Sequence, residues 1–484
     1  MLLGKITSPH ALYERYISAA TSVAASETNS PGINAAFPGE SELFYEFSFN
    51  PYYAAEPEEI NLSVLCKFSP RDIPVNNAAF SAVITMDVQL AKKIEHLCDG
   101  HSFTEIAELL NLDVINFSEP LALETVEIAK PWGAEIWYTG IEARGVSRIN
   151  NVPLPWLAAI NPTLFDDGSY PDSAKDAEVT KISNEPVLLK ILAPRKEEIY
   201  GDLYFELHRE KIEVYIVTHI DPEAWPTGIA NMRYGFCQKK LALLGDKENF
   251  AQAYLTAVKD YKVVRDSIDK LLALQKSTAG FDEDEIVPAA TLAARLRQLP
   301  AELTAAEQRL REEMNSFTAD RQVMVGDVIE VERLTPHSLQ HGIRAIEFQS
   351  PHYERYILSF AQKVLTQNHW DTQAAMAIAR FEATPPRPLV KLPTVAGITI
   401  ELAADFDSFQ VQRISLAPGM GYQLESSSYM LAIGLIGETR LARKTIEPEQ
   451  AYCLAPGVNQ PLLKNESALA TTVLIAIPKS GTAS

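Results

Sequence analysis

The stretch 201–215, GDLYFELHREKIEVY, carries three side chains of the kinds that bind metal ions: Glu206, His208 and Glu213. Side chains alternate along a strand, so a strand here places Glu206 and His208 on one face. A turn at 209–211 lets Glu213 join them from the following strand. Two carboxylates and an imidazole together suit a borderline divalent metal.

A second stretch, 326–341, GDVIEVERLTPHSLQH, offers a fourth candidate ligand, His337, in a turn at a strand end. A single histidine on a strand is more often a hydrogen-bonded core residue than a ligand, but its pairing with the first stretch favours metal binding. The sequence therefore predicts a divalent-metal site of Glu206, His208, Glu213 and His337.

Strand-like patterns surround both stretches. Apolar runs at 187–192 and 214–217 lie between turn residues, and a final β segment covers 397–478. Between 250 and 313 the apolar residues recur at three, four or seven positions instead, which predicts helices inserted into a β domain. The chain is thus expected to be mainly β with α insertions.

The first 125 residues combine strand-like and helical patterns. Residues 43–49 alternate as a strand does, and 91–112 predicts two short helices with a capping box at Ser102 and Glu105. A helical hairpin packed on the neighbouring strands is favoured over a DNA-binding helix-turn-helix.

Charge and composition narrow the class of protein. The 484 residues carry a formal net charge of -20, which repels nucleic-acid phosphates and anionic lipid over the whole surface. No apolar run approaches the length of a membrane span, and the four cysteines form no CxxC pair. We expect a soluble, cytoplasmic, multidomain protein with no nucleic-acid or membrane partner.

The two stretches resemble the paired motifs of the cupin β-barrel superfamily. Glu206, His208 and Glu213 keep the spacing of its first motif, and its second motif begins with a glycine, here Gly326, and ends with a histidine, here His337. The departures from the cupin pattern are Glu206 in place of a histidine, Glu332 and Leu334 in place of Pro and Gly, and Ile220 in place of a Gly.

Within the cupins, the chain resembles mannose-6-phosphate isomerases. Glu206-Leu207-His208 matches that family's Gln-x-His apart from the first residue, and 211–215 resembles its next ligand segment. The segment 336–355 resembles its histidine turn and the serine-to-arginine segment that follows. Lys130-Pro131-Trp132-Gly133 resembles the entry to its barrel, so the resemblance runs from residue 130 to the C-terminus.

This resemblance implies two jelly-roll barrels of the cupin type. Residues 126–235 and 315–390 would form the metal-binding barrel, and 236–314 the inserted helical subdomain. Residues 391–484 would form a C-terminal cupin-like barrel without metal ligands. Residues 1–125 lie outside the resemblance and would form an α+β domain of unknown role.

The activity that the resemblance implies is an aldose–ketose isomerase of carbohydrate metabolism, acting on a sugar or sugar phosphate through an enediol intermediate. The metal would be a divalent cation, with Zn²⁺ the first choice. Arg355 would stabilise the negative charge that develops on oxygen. The proton would be moved by Lys211, whose pKa a neighbouring cation would lower towards the working pH, or by Glu213. The extra charge of Glu206 weakens the case for an anionic substrate.

Two other interpretations stay open on the sequence. One is a metal cupin of another reaction class, such as an epimerase or a dioxygenase. The other is a non-catalytic cupin that binds a sugar and signals through residues 1–125. The sequence leaves the oligomeric state open.

Overall fold

The structure is a computed structural model, and it describes residues 41–49, 59–68, 80–141, 145–161, 186–278, 280, 282, 286–365, 367, 369–425, 428–456 and 461–479. The chain forms two compact units. The first unit comprises the described residues of Met1–Val126, Tyr138–Val187 and Leu389–Ser484, and the second comprises those of Glu127–Trp137 and Leu188–Pro388.

The strands up to the helical block are β1 (Ser41–Phe49), β2 (Ile60–Phe68), β3 (Phe80–Thr85), β4 (Ile115–Asn116), β5 (Leu121–Ala122), β6 (Val126–Lys130), β7 (Gly133–Trp137), β8 (Arg148–Ile149), β9 (Val152–Pro153), β10 (Leu188–Pro194), β11 (Phe205–Leu207), β12 (Glu213–Ile220) and β13 (Ala230–Phe236). Those that follow it are β14 (Thr318–Val323), β15 (Val328–Val331), β16 (His337–Ser338), β17 (Ile343–Gln349), β18 (Tyr356–Ser359), β19 (Val390–Leu392), β20 (Ile398–Asp405), β21 (Phe409–Leu416), β22 (Gly421–Gln423), β23 (Met430–Ile436), β24 (Thr439–Leu441), β25 (Lys444–Ile446), β26 (Ala451–Leu454), β27 (Leu462–Lys464) and β28 (Thr471–Pro478). The helices are α1 (Val88–Leu97), α2 (Phe103–Leu109), α3 (Leu154–Ile160), α4 (Gln238–Leu244), α5 (Lys247–Thr278), α6 (Ala289–Leu296), α7 (Ala301–Asn315) and α8 (Thr372–Ile378). The protein is therefore mainly β with fewer helices, as the sequence predicts.

The first unit contains three larger groups of strands. A sheet of order β1-β2-β3-β4 carries α1 and α2 on one face, where Phe44, Leu65, Ile94 and Ile106 share a core. The predicted strand at 43–49 and the predicted capping box between Ser102 and Glu105 are both confirmed. The C-terminal segment forms a sheet of order β19-β20-β21-β28-β23-β26-β5 and a smaller one of order β22-β27-β24-β25.

The second unit is built on two sheets. Six strands have the order β15-β12-β17-β10-β7-β6, and five have the order β14-β13-β16-β11-β18. A shared apolar core joins their facing sides, with Tyr215, Ile329 and Ala345 from the first sheet and Met232 and Ile357 from the second. Two packed antiparallel sheets leave an interior into which polar side chains can also project.

The helical block lies between β13 and β14, where the sequence predicts it. One face of α5 is buried, and it carries the predicted apolar residues Phe250, Tyr254, Val258, Tyr261 and Ile268. This face packs with residues of β11, β13, α7 and α8 into a second apolar core. Helices thus cover the five-stranded sheet, which holds two of the candidate ligands in place. No helix among the described residues is long and apolar enough to cross a membrane.

Candidate metal centre

Glu206, His208 and His337 meet in the second unit. Glu206 lies on β11 directly opposite His337 on β16, and His208 follows β11 by one residue. Each of the three offers a ligand atom, and these atoms all lie within 4.8 Å of one another. The period-two alternation of β11 thus places Glu206 and His208 as the sequence predicts.

Glu213 lies at the start of β12, in the neighbouring sheet, and its side chain is fully buried. Its Oε1 is 2.8 Å from Nε2 of His337 and 3.4 Å from Nε2 of His208. Glu213 is outside the group of three whose ligand atoms are all mutually close, but it contacts both histidines of that group. All four predicted ligands are therefore brought together.

The backbone fixes both imidazole rings. Nδ1 of His208 lies 2.8 Å from the carbonyl oxygen of Glu354, and Nδ1 of His337 lies 3.0 Å from that of Thr335. A carbonyl oxygen only accepts, so Nδ1 carries the proton in each ring. In the neutral form each Nε2 then presents a lone pair, as in metal-binding histidines held by a second partner.

A strained turn ties the two ligand segments together. Leu334 has a φ of +64°, in the left-handed region that favours glycine, and it occupies the position at which the cupin pattern has glycine. Its N–H donates to the carbonyl oxygen of His208 at 2.8 Å. Such strain is retained where the surrounding structure holds it, and here it connects the His208 and His337 segments.

The donor atoms fit a cation. Nε2 of both histidines, both carboxylate oxygens of Glu213 and Oε2 of Glu206 are buried without a hydrogen bond of acceptable geometry. His337 Nε2 and Glu213 Oε1 lie 2.8 Å apart, and with the proton of the neutral ring on Nδ1 both atoms are acceptors that a cation could bind. Two imidazole nitrogens with carboxylate oxygens are ligands that Zn²⁺ and similar metals accept.

Without a cation, the same atoms interact electrostatically. Burial lowers the pKa of His337, but its contact with Glu213 outweighs burial and raises that pKa above the usual value. Burial by itself would raise the pKa of the Glu213 carboxyl, but Lys211 and His208 outweigh burial and hold this pKa well below the usual range. Glu213 is therefore an ionised carboxylate, the form that binds a metal.

A line of alternating charges runs from Glu213 across the six-stranded sheet. We call it the charge row, and its six members are Lys130, Glu135, Lys190, Glu347, Lys211 and Glu213. Every member is buried, none being more than 8% exposed. Lys211 contacts Glu213, and its Nζ lies 3.2 Å from Glu347. Lys190 Nζ lies 3.2 Å from Glu347 and 3.5 Å from Glu135, whose other oxygen is 2.9 Å from Lys130 Nζ.

The members of the charge row differ in their proton affinity. Burial alone favours a neutral amine at Lys211, but Glu213 and Glu347 raise the pKa of Lys211 above its usual value instead of lowering it as the sequence led us to expect. Burial raises the pKa of Glu347 above its usual value, against the opposing effect of Lys190 and Lys211. Lys211 is therefore a cation at neutral pH, and Glu347 binds a proton more readily than an exposed glutamate does.

Arg355 lies beside the site rather than within the ligand group. It immediately precedes β18 and follows Glu354, whose carbonyl oxygen holds His208. Its guanidinium carbon is 4.9 Å from the ring centre of Tyr204. Burial raises the pKa of Tyr204 to about 12, with Arg355 opposing and Glu206 adding to the effect. Arg355 is thus close enough to the site for its charge to act there.

The remaining histidines of these segments are held elsewhere. Nδ1 of His341 is 2.7 Å from Asp202, and its ring stacks on Trp225. His352 contacts the Ser350 hydroxyl through Nδ1, and His219 is exposed. None of these three belongs to the ligand group found among the described residues.

Sequence reasoning missed Glu135 and Glu347 as members of the site. A signal was present for Glu347, which lies between Ile346 and Phe348, just as Lys190 interrupts the apolar run 187–192. A charge inside a buried strand requires a partner, and such positions are candidates for functional sites.

Comparisons with known proteins give only distant likenesses. No protein-family model and no curated protein matches the chain. Among solved structures, the mannose 6-phosphate isomerase of Bacillus subtilis is similar at 13% identity and a TM-score of 0.48, covering 74% of this chain and 99% of that one. The apo form of the Salmonella typhimurium mannose 6-phosphate isomerase is similar at 12% identity and a TM-score of 0.49, with the same coverage. Likenesses this weak assign no function.

Proposed function

We propose that this chain is a metal-dependent aldose–ketose isomerase that acts on a sugar phosphate, as mannose-6-phosphate isomerases do. The observation that supports it best is that buried metal-binding atoms of Glu206, His208, Glu213 and His337 lie close together without hydrogen-bond partners. The sequence motifs that resemble this family lie at the same residues.

In the proposed site, these four residues hold a divalent metal, with Zn²⁺ the first choice for two imidazoles and two carboxylates. The metal would supply a positive charge next to the substrate oxygens. The two sheets of the second unit would form the cupin-type barrel, with 236–314 as its helical subdomain. Residues 391–484 would form a second barrel without ligands, and residues 1–125 an α+β domain.

The chain's own residues would perform the proton transfer. Isomerisation removes a proton beside a carbonyl and builds negative charge on oxygen, so fixed cations stabilise the enediol-like species in a water-poor site. Lys211 is a buried ammonium group beside the ligand Glu213, and Arg355 is a guanidinium next to the site. Glu347, which lies 3.2 Å from Lys211, would accept and return the proton.

The proposed location is the reducing cytoplasm. All four cysteines, Cys66, Cys98, Cys237 and Cys453, are free thiols, as expected where disulfides do not form.

The experiment that tests the function is proton exchange at C2 of the substrate. Zinc-loaded protein is incubated in deuterated water with a panel of aldoses and their 6-phosphates, and NMR follows loss of the C2 proton. We expect exchange with a sugar phosphate, loss of exchange in H337A, and retention in H341A, whose histidine pairs with Asp202. Stoichiometric metal binding with no exchange for any sugar would overturn the proposal.

A further inference from the structure

Glu135 bridges two lysines in the interior of the second unit. Its side chain is 8% exposed on β7, with Oε2 2.9 Å from Lys130 Nζ and Oε1 3.5 Å from Lys190 Nζ. The indole Nε1 of Trp137 donates to Oε2 at 3.1 Å. Both oxygens therefore have partners, and the carboxylate has a fixed orientation.

Stability does not explain this arrangement. Removing charged groups from water carries a penalty of several kcal/mol per ion, and buried ion pairs are often no more stabilising than apolar residues of similar size. Glu135 and Lys130 lie outside the ligand group, so metal binding does not account for them either.

Lys190 is the member of the charge row that depends on Glu135. Its ammonium group lies between Glu135 and Glu347 and sits 4.8 Å from the centre of the Trp137 ring. A lysine stem has four rotatable bonds, so its charged end is located only by the groups around it. Without the charge of Glu135, Glu347 alone attracts the ammonium group of Lys190, which is then no longer held between two carboxylates.

Glu347 transmits this effect towards the metal centre. Its two oxygens are divided between two lysines, Oε2 facing Lys190 and Oε1 facing Lys211, each at 3.2 Å. Lys211 in turn contacts Glu213. The position of Lys190 thus sets how Glu347 is shared with Lys211.

We infer that Glu135 is a positioning residue, which holds Lys190 in place and thereby fixes the Glu347 carboxylate beside Lys211. This inference rests on the proposed isomerase function for its kinetic consequence but not for its structural one. Glu135 does not touch substrate; it acts through Lys190.

The test uses the full-length zinc-loaded protein and the substrate found by C2 exchange. E135Q removes the charge while its amide oxygen still accepts from Trp137, and E135D restores the charge on a shorter side chain. We expect E135Q to lower kcat about 10- to 100-fold with KM changed less than about threefold, since small misplacements in a site reduce turnover strongly. E135D should recover part of this loss.

Two controls separate positioning from general destabilisation. D269N removes the half-buried carboxylate that pairs with the buried Arg265 at 2.6 Å in the same unit, and it should leave kcat unchanged. K130M removes the contact between Glu135 and Lys130. Its loss of kcat should be at least fivefold smaller than the loss in E135Q. Equal losses of kcat in K130M and E135Q would overturn the inference, and so would a rise in KM with kcat unchanged in E135Q.

Crystal structures of the wild-type protein and E135Q separate this inference from the proposed function. If no sugar exchanges, the isomerase proposal fails, while the position of Lys190 can still be read. We expect its Nζ to move by about 1 Å or more in E135Q, away from residue 135 and around its contact with Glu347. An unmoved Lys190 would overturn the positioning role, whatever the activity.

Discussion

The six-stranded sheet of the second unit and the seven-stranded sheet of the first unit are both antiparallel, but their buried faces differ in chemistry. The six-stranded sheet buries the charge row. The seven-stranded sheet buries apolar side chains such as Ile400, Val411, Ile433 and Ile475. Every buried Asp, Glu, Lys, Arg or His among the described residues belongs to the second unit.

The difference shows what the architecture requires and what it does not. An antiparallel sheet can bury one face with apolar and neutral side chains alone, as the seven-stranded sheet does within 398–478. Burying ions is unfavourable unless each has partners. A sheet of this kind can therefore fold without buried charges, and a concentration of them beside the candidate metal centre is typical of functional sites.

The largest expected effect is on stability, when one cation of the charge row is lost. K211M leaves the carboxylates of Glu213 and Glu347 buried without their shared partner, so we expect destabilisation by about 3–5 kcal/mol. The matched change in the seven-stranded sheet is R413M, which breaks the partly exposed pair with Glu401 and should cost about 0–1 kcal/mol. Urea unfolding of metal-free protein, followed by circular dichroism, measures both, and equal losses would remove the distinction between the sheets.

The next effect is on metal affinity. H337A removes one of the two imidazole ligands. It should weaken Zn²⁺ binding by more than about a hundredfold, because losing a residue that only supports a ligand already weakens binding by about 10- to 100-fold. Competition with a coloured chelator gives the affinity. H341A is the control, because His341 is held by Asp202 away from the ligand group. Similar affinities for wild type and H337A would mean that these residues form an ion-pair cluster and not a metal centre.

A third effect depends on pH. Burial raises the pKa of Glu135, but Lys190 and Lys130 outweigh burial and hold it below the usual range. A pKa that is lower in the folded than in the unfolded state stabilises the fold at pH values above the pKa of the unfolded state, about 4.5. This stabilisation is lost as the pH falls through the pKa of the folded state. The stability deficit of E135Q should therefore be largest at neutral pH and should shrink in acid.

Unfolding by urea at pH 7, 5 and 3.5 tests this dependence. E401Q, the same substitution at a partly exposed pair of the seven-stranded sheet, reports general effects of acid on the fold. A deficit of E135Q that stays constant from pH 7 to pH 3.5 would show that the charge of Glu135 does not carry its contribution.

The smallest expected effect is the most informative about the comparison. The double variant K130M/E135L makes one end of the charge row apolar and leaves two lysines and two glutamates balanced. Because apolar replacement of a buried pair is often neutral or stabilising, we expect its unfolding free energy to match or exceed that of wild type. Its activity should fall, as for E135Q. A large loss of stability would mean that the fold does depend on this pair.

The sequence predicted what local patterns encode. Alternation of β11 placed Glu206 and His208 on one side, and the helical period predicted the buried face of α5. Such periods follow from the geometry of the backbone itself and need no knowledge of distant neighbours. The motif spacing likewise predicted that Glu213 and His337 lie with them, and the structure brings the four residues together.

Only the tertiary structure decided the charge row. Its members lie on β6, β7, β10, β12 and β17, except Lys211, which lies just before β12. Lys130 and Glu347 are more than 200 residues apart in the sequence. Which lysine faces which glutamate depends on strand order and register, and a single-residue slip in one strand turns its side chains to the other face. For the same reason the pKa of Lys211, raised and not lowered, followed from partners that the sequence does not reveal.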